Sequence, residues 1–300
     1  MGIKQYSLPQ NDTSLPDVNV FWDDQSKIIF DCGPANILSF LKFVDEFNND
    51  GFQLSDIRRI VITHHHIDHI GGLRFFPKNI PVIIQKNSID FQNIQTYQVI
   101  DTKKILKNFD SSNLFNKNIN NIAFRILMEY DDSKSLENRQ VSFIHKQEIE
   151  FEGWTLIPSR GHSSSDLICY NRQQNVAITG DIILPNIFFN SIIEFDLEKQ
   201  RPVGLRGEFM TELNTILGLS PEIVFIGHGH SLNLDEVKRN ILNTTKRMKR
   251  TEKKVLKSVN ENLNVTETVE LIFRNFIPYE YFLPFSEVLN IYLENDLLNN

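Results

Sequence analysis

Short apolar stretches separated by polar turns dominate the first 235 residues of the chain. VNVFW and KIIFDCG flank the polar residues DDQS, a pattern that predicts a β-hairpin. Further strands are predicted at IRRIVIT, IPVIIQ, FEGWTLIPSRGH, DLICYN, VAITGD and EIVFIGHGH. Between them, ILSFLKFVDEFNNDG carries apolar residues at helical spacing and ends at Gly51, which predicts a helix. Two strand-rich halves with helices between them indicate an α/β protein built as a four-layered sandwich.

After about residue 235 the pattern becomes helical. A heptad-like apolar stripe follows the next thirty residues, and Asn264 and Glu267 have the spacing of a helix capping box. The stripe consists of Ile241, Met248, Val255, Val259 and Leu263. A last helix is predicted for FSEVLNIYLENDL. We therefore expect a main domain over residues 1–235 and a small helical appendage over 236–300. Residues 88–140 show weak periodicity and are interpreted as helical pieces and loops covering one face.

The composition is that of an ordinary globular protein. The 300 residues are 41% hydrophobic and 23% charged, enough for a sizeable core without disulfides. Cys32 and Cys169 lie in apolar runs and are expected to be buried, reduced thiols. The N-terminus lacks the apolar region of a signal peptide, and no apolar run reaches the length of a membrane helix. These features predict a soluble cytoplasmic protein without membrane association.

Charge is unevenly distributed along the chain. The net charge is −7, yet residues 238–257 contain nine Lys or Arg and one acidic residue, Glu252. An acidic body argues against a broad nucleic-acid footprint and leaves a local one open. The basic stripe comprises Lys246, Lys249, Arg250, Lys253 and Lys257. Its simpler interpretation, which we favour, is a solvated helix face opposite the apolar stripe.

Half of the eight histidines lie in one short segment, THHHIDHIGG, residues 63–72. In an extended segment residues two apart point the same way, so His64 and His66 share a face and His65 points elsewhere. Asp68 and His69 follow, where the chain is expected to turn into a helix. Gly71 and Gly72 then allow close backbone packing around this point.

More residues of the same chemistry end the later strands. His162 occurs in GHSSSD, Asp181 in TGD and His228 in GHGH, each just after a predicted strand. Imidazole with carboxylate is the ligand chemistry that borderline ions such as zinc prefer. The competing interpretation is that these are unrelated polar residues of loops. The metal site is favoured because the motifs have the expected spacing and each follows the end of a predicted strand.

Taken in order, H-x-H-x-D-H, GH, GD and GHG resemble the motifs of the metallo-β-lactamase-fold hydrolases over about residues 15–235. The resemblance implies an αββα sandwich and two divalent metal ions per chain, with zinc favoured and manganese or iron as alternatives. It implies that one ion binds His64, His66 and His162, that the other binds Asp68, His69 and His228, and that Asp181 bridges both. Asp31 matches the acid that usually supports these ligands. The helical tail is similar to the winged-helix-like C-terminal domains of some glyoxalase II-like and lactamase-β-like members.

The resemblance implies a dinuclear hydrolase in which a metal-bridging hydroxide attacks a small ester, thioester or lactone. Asp68 is the expected catalytic residue, orienting the hydroxide and carrying its proton. The alternatives are a metal-dependent ribonuclease, which the tail and basic helix would suit, a mononuclear iron persulfide dioxygenase, and a non-catalytic scaffold. A small-molecule substrate is the expected partner, RNA is not favoured, and a two-fold homodimer is the default assembly.

Three further expectations concern residues beside these motifs. His65 is expected to support the site or face solvent rather than bind metal. His230 is interpreted as a neighbour of the site that touches substrate or solvent, and His145 as a surface residue. Substrate specificity is assigned to residues 88–140, to the loop from Ile182 to Leu205, and to the tail. SSSD after His162 replaces the TPG common in relatives and carries no inference about substrate.

Overall fold

The computed structural model describes residues 2–10, 15–86, 136, 138–187, 190–196, 201–273 and 282–297. Within these residues the chain forms two six-stranded sheets, one short hairpin and helices on both outer faces. Most of the segment 88–140 lies outside the described residues, so the interpretation of that segment stays a prediction.

The first sheet is built from the N-terminal part of the chain in sequential order. Its strands are β1 (Ile3–Leu8), β2 (Val18–Asp23), β3 (Ile28–Phe30), β4 (Arg59–Val61), β5 (Val82–Gln85) and β6 (Val141–Ile144). β1 to β3 pair antiparallel and β3 to β6 parallel. Helix α1 (Ile37–Asn49) follows β3, and the short helix α2 (Ile67–Ile70) follows β4. The predicted hairpin, strands and helix of this half are confirmed.

The second sheet has the order β14-β13-β10-β9-β8-β7. Its strands are β7 (Ile149–Phe151), β8 (Trp154–Ser159), β9 (Asp166–Asn171), β10 (Val176–Ile178), β13 (Ile223–Phe225) and β14 (Leu232–Asn233). Only β10 and β13 pair parallel, with helix α3 (Arg206–Leu219) between them in sequence. The small hairpin β11 (Glu194–Asp196) and β12 (Arg201–Val203) precedes α3.

Three hydrophobic clusters separate four layers. Phe30 and Val61 from the first sheet meet Trp154 and Leu156 from the second in a cluster between the sheets. Another cluster joins the outer face of the first sheet to α1, and a third joins the second sheet to α3 and the C-terminal helices. The predicted αββα sandwich is confirmed, and burial of apolar faces on both sides of each sheet holds it together. Cys32 and Cys169 are free and buried, as predicted.

The C-terminal region consists of helices over the part that the structure describes. They are α4 (Leu234–Asn260), α5 (Val265–Phe273) and α6 (Phe282–Glu294). Ile241, Met248 and Val255 of the predicted stripe are buried, and Asn264 and Glu267 form the predicted capping box. None of the described helices is long and apolar enough to cross a bilayer. The helical appendage is observed, whereas its winged-helix likeness and the boundary at residue 235 stay predictions.

Candidate metal centre

The predicted ligands come together where strands of both sheets end. His64 follows β4, His162 follows β8, Asp181 follows β10 and His228 follows β13. A backbone hydrogen bond of 2.7 Å from Asn19 N to Gly227 O joins the two sheets at this edge. Strand ends that meet at one edge therefore place residues separated by more than 160 positions side by side.

Within the described residues, three overlapping groups of side chains have the geometry of metal-ligand sets. In each group the donor atoms lie within 4.8 Å of one another. The groups are His64, His66 and His162; His64, His69 and Asp181; and Asp68, His69 and His228. Together they contain all seven residues of the predicted ligand set and none of the other histidines. The structure thus brings the seven predicted residues together.

Asp181 occupies the centre of this arrangement. One of its carboxylate oxygens, Oδ1, lies 3.3 Å from His69 Nε2. The other, Oδ2, lies 3.3 Å from His228 Nε2 and 4.0 Å from His162 Nε2. Its two oxygens therefore face both halves of the cluster. Asp68 Oδ2 lies 3.2 Å from His228 Nε2 at the more exposed side of the centre.

Four of the histidines have the Nδ1 side of the ring fixed by the protein. His69 Nδ1 lies 2.8 Å from Asp31 Oδ2, and His64 Nδ1 lies 3.0 Å from Thr63 Oγ1. His162 and His228 place Nδ1 against backbone carbonyls, 2.8 Å from Asn190 O and 2.9 Å from Asp17 O. An Nδ1 partner of this kind orients the ring and leaves Nε2 directed into the centre.

Several atoms directed into the centre have no hydrogen bond. His64 Nε2 is buried without a hydrogen bond, and His69 Nε2 and Asp181 Oδ1, although 3.3 Å apart, form no hydrogen bond either. A Cβ at Gly227 would collide with Asp181 Oδ1 and the His69 ring, so only glycine lets the backbone pass there. Buried polar atoms without partners cost free energy, and a cation bound between them would remove that cost. The donor set and its unpaired atoms fit a metal ion.

Burial and neighbouring charges shift the pKa values of the histidines in opposite directions. Burial, followed by the neighbouring imidazoles, holds the pKa of His64 and His66 well below the usual range. Burial also lowers the pKa of His228, but Asp181 and Asp68 outweigh it and raise the pKa to about 10. Burial raises the pKa of Asp68, and the opposing charges of His69 and His228 bring it down to about 2. The carboxylates of Asp181, Asp68 and Asp31 likewise outweigh burial and raise the pKa of His69 well above the usual range. His64 and His66 are therefore already neutral, the state that a divalent ion requires of its ligands, whereas a bound ion would have to displace protons from His69 and His228.

His65 is buried at 1% exposure and does not face solvent. Its Nδ1 lies 2.6 Å from Ser165 Oγ, its backbone N–H donates to the same oxygen at 3.1 Å, and its Nε2 lies 3.7 Å from Glu194 Oε1. Of the two expectations for His65, solvent exposure is wrong because the side chain is buried, and support of the site stays a prediction. Ser165 and Glu194 were missed because serine and glutamate carry no signal until the fold pairs them with a residue far away in sequence.

The loop that carries His162 is held by buried carboxyl groups. Asp166 accepts from the backbone N–H of Gly161 at 3.0 Å and of Ser163 at 2.8 Å, and Glu212 accepts from the backbone N–H of His162 at 3.0 Å. Burial, and then the charge of Asp166, raises the pKa of Glu212 well above its usual range. The SSSD segment therefore acts as a scaffold for His162, a role that the sequence did not indicate.

His230 and His145 lie outside the ligand groups. His230 is exposed, so it touches solvent, and it lines a cavity of about 190 Å³ with residues that include Asn186 and Arg239; its contact with substrate stays a prediction. His145 is exposed, as predicted. Gln10 was also missed, although its Nε2 donates to Asp68 Oδ2 at 3.3 Å. It lies in a polar stretch without a recognisable motif.

Comparison of the sequence with protein families agrees with this geometry. Residues 14–228 match the profile described as the metallo-beta-lactamase superfamily. The probable metallo-hydrolase YqjP of Bacillus subtilis is 26% identical over 216 residues. That alignment covers 68% of this chain and 64% of the relative, so the match spans slightly less than two thirds of the relative's length.

Solved structures share the fold over nearly the whole chain. A metallo-beta-lactamase family protein from Thermus thermophilus superposes with a TM-score of 0.67 at 15% identity. This match covers 98% of this chain and 94% of the other. A beta-lactamase domain protein from Burkholderia ambifaria gives 0.70 at 17% identity, covering 98% and 87% of the two chains. At these identities the likeness shows the fold alone.

Proposed function

This chain belongs to the metallo-beta-lactamase superfamily, and we propose that it is a metal-dependent hydrolase of a small ester, thioester or lactone. In this proposal one divalent ion binds His64, His66 and His162, and a second binds Asp68, His69 and His228. Asp181, whose carboxylate oxygens face His69, His162 and His228, would complete the ligand set. Zinc is the favoured metal, because the donor set combines imidazole nitrogens with carboxylate oxygens.

The observation that carries the proposal is the set of unpaired donor atoms at the centre. His64 Nε2, His69 Nε2 and Asp181 Oδ1 are buried without hydrogen-bond partners, although the same histidines are fixed at Nδ1. Two groups of ligand atoms that share no residue, one of His64, His66 and His162 and one of Asp68, His69 and His228, support two adjacent cation positions rather than one. When bound, such ions lower the pKa of a water molecule and polarise a substrate carbonyl oxygen.

Asp68 is the proposed catalytic residue. Its Oδ2 accepts from Gln10 and lies 3.2 Å from His228 Nε2, which fixes the orientation of the carboxylate. Its side chain keeps 18% exposure, more than the 9% of Asp181, so it is the carboxylate open to an entering substrate. The carboxylate can accept a proton from the attacking water and pass it to the leaving group.

Neither cysteine, nor the serine that is hydrogen-bonded to His65, suits a mechanism with an amino-acid nucleophile. Burial raises the pKa of both Cys32 and Cys169 well above the usual range, which keeps the two thiols protonated. Ser165 is hydrogen-bonded to His65 but has no exposed surface, so a substrate cannot reach its hydroxyl. These properties favour attack by an activated water, as the proposal requires.

The test is a hydrolysis assay of the zinc-loaded protein on aryl esters, thioesters, lactones and RNA. The Asp68→Asn variant is expected to lower kcat about 100-fold or more with little change in KM, because it removes the proton acceptor. Asp45→Asn, on α1 away from the centre, serves as the matched control and is expected to behave like the wild type.

Two results would contradict the proposal. One is no turnover of any ester, thioester or lactone by the loaded protein. The other is unchanged turnover by Asp68→Asn. Cleavage of RNA instead, weakened by added salt, would support the ribonuclease alternative.

A further inference from the structure

We propose that Asn290, on the last helix of the C-terminal appendage, is a positioning residue for His162 and acts through the segment 190–193. The proposal rests on the proposed function only in taking His162 as a metal ligand. It assigns to the appendage a structural role at the proposed metal centre, rather than a role in contacting nucleic acid.

Helix α6 buries polar side chains where it meets the main domain. Ser286 and Asn290 are fully buried, and Glu287 is 1% exposed. Buried polar groups are costly unless they are hydrogen-bonded, and polar contacts are more directional than apolar ones. Apolar neighbours such as Phe285, Val288 and Leu289 join the core cluster of the second sheet. The apolar residues thus stabilise the docking of α6, and the polar residues define its register.

The Asn290 side chain binds two separate points of the loop that precedes α3. Its Nδ2 donates to Ser191 O at 3.1 Å, and its Oδ1 accepts from Leu205 N at 3.0 Å. Ser286 Oγ accepts from Ile193 N at 3.4 Å. The backbone passes so close that a Cβ at Gly204 would lie 2.6 Å from Asn290 Oδ1. One amide therefore fixes both ends of the loop against α6.

The same segment holds His162 from the other side. Ile192 N donates to His162 O at 3.0 Å, and His162 Nδ1 donates to Asn190 O at 2.8 Å. Asn190 also donates its side-chain amide to Asp181 O. The segment bound by Asn290 thus determines where the His162 ring points and contacts the backbone of Asp181.

Hydrogen bonds and the backbone of residues 190–192 therefore connect α6 to His162 Nδ1, on the ring whose Nε2 is directed into the centre. Loss of a partner that orients a metal-binding histidine typically weakens metal binding about 10- to 100-fold. Asn290 acts one step further away, through the segment that carries the Asn190 carbonyl. We therefore expect Asn290→Leu to weaken zinc binding by an amount near the lower end of this range, about tenfold.

The experiment compares Asn290→Leu with Thr268→Val in the full-length protein. Asn290→Leu removes both hydrogen bonds at similar volume. Thr268→Val removes a fully buried hydroxyl that lies 3.1 Å from Tyr292 Oη, also in the appendage but without contact to the 190–193 segment. Each variant is measured for zinc affinity by chelator competition, for the visible spectrum of its Co²⁺ form, and for the Tm of the chelator-treated protein.

The expected result is a split between the two variants. Both lower the Tm, but only Asn290→Leu weakens zinc binding about tenfold and changes the Co²⁺ spectrum, which reports on ligand geometry. Equal zinc affinity and equal spectra in Asn290→Leu and wild type would overturn the proposal. So would a loss of zinc affinity in Thr268→Val as large as that in Asn290→Leu.

A milder variant covers the case in which Asn290→Leu fails to fold. Ser286→Ala removes only the 3.4 Å bond to Ile193 N and is expected to weaken zinc binding about threefold. Because Ser286 and Asn290 both bind the segment 190–193, an unchanged zinc affinity in Ser286→Ala would overturn the step of the proposal that links this segment to zinc binding. Zinc binding without hydrolysis would remove the proposed reaction and leave this inference standing. Hydrolysis with a zinc affinity that is independent of Asn290 would overturn this inference and leave the proposed reaction standing.

Discussion

Asp31 shows how single residues prepare the centre. It has a left-handed backbone, with φ at 63°, an unfavourable conformation for a residue other than glycine. In that conformation its carboxylate accepts from Thr63 N at 2.7 Å and Thr63 Oγ1 at 2.8 Å, and it contacts His69 Nδ1. The strained backbone is retained because three polar groups around His64 and His69 depend on this carboxylate.

Replacing Asp31 with alanine is expected to weaken zinc binding about 10- to 100-fold, because His69 loses the partner that orients its ring. Asp23→Ala is the matched control, since Asp23 is also a buried carboxylate and accepts from Trp154 Nε1 at 2.9 Å away from the centre. Chelator competition on both variants checks this. Equal zinc affinities in the two variants would show that Asp31 contributes only to stability.

The sequence identified the candidate metal ligands better than the residues that orient those ligands. Alternation in an extended segment placed His64 and His66 together and separated His65 from them, and the structure agrees on both points. Ser165 could not be found in this way, because its contact with His65 joins residues 100 positions apart. The Asn190 carbonyl that orients His162 carries no side-chain signal at all.

At the scale of elements, local patterns predicted helices and strands well. The stripe and capping box of the tail appear as predicted because both depend on spacing within one helix. Which strands pair is decided by tertiary contacts instead. The parallel pairing of β10 with β13, which brings Asp181 beside His228, could not be read from either segment.

Helix α6 also contributes to a buried ionic cluster. Arg206, at the start of α3, lies within about 3 Å of Glu287 and Glu294 on α6 and of Glu252 on α4. Glu287 is the most buried of these acids. Burial raises its pKa from 4.5 to about 7, against the opposing effect of Arg206. Its carboxyl group therefore holds its proton more tightly in the folded protein than in the unfolded chain.

This pKa predicts a pH dependence of stability. The free energy of unfolding should fall as the pH rises from about 4.5 to about 7, and stay level above that, because the unfolded chain ionises Glu287 first. Glu287→Gln does not titrate, so its stability relative to the wild type should improve by about 3 kcal/mol between pH 4.5 and pH 8.

Urea unfolding of both proteins at the two pH values measures this difference. Glu294→Gln removes a more exposed carboxylate from the same arginine and serves as the control, with a smaller change expected. A difference between Glu287→Gln and wild type that is equal at both pH values would contradict the account of Glu287.

In the molecule as a whole, the appendage packs against the main domain over both apolar and polar contacts. Its helices share one hydrophobic cluster with the second sheet and α3, and its polar residues bind the loop before α3. The change to a helical pattern near residue 235 was visible in the sequence. The packing of those helices against the loop before α3 could not be predicted from the sequence. It depends on tertiary contacts between Asn290 and residues 85 to 99 positions earlier.

We propose that the chain binds two divalent ions at the edge where strands of its two sheets end. The most direct test is the metal content of full-length protein purified without added metal or chelator, by plasma mass spectrometry. We predict about two zinc ions per chain, as a two-metal hydrolytic centre requires. About one iron per chain with no second metal, or no bound metal, would contradict the dinuclear account.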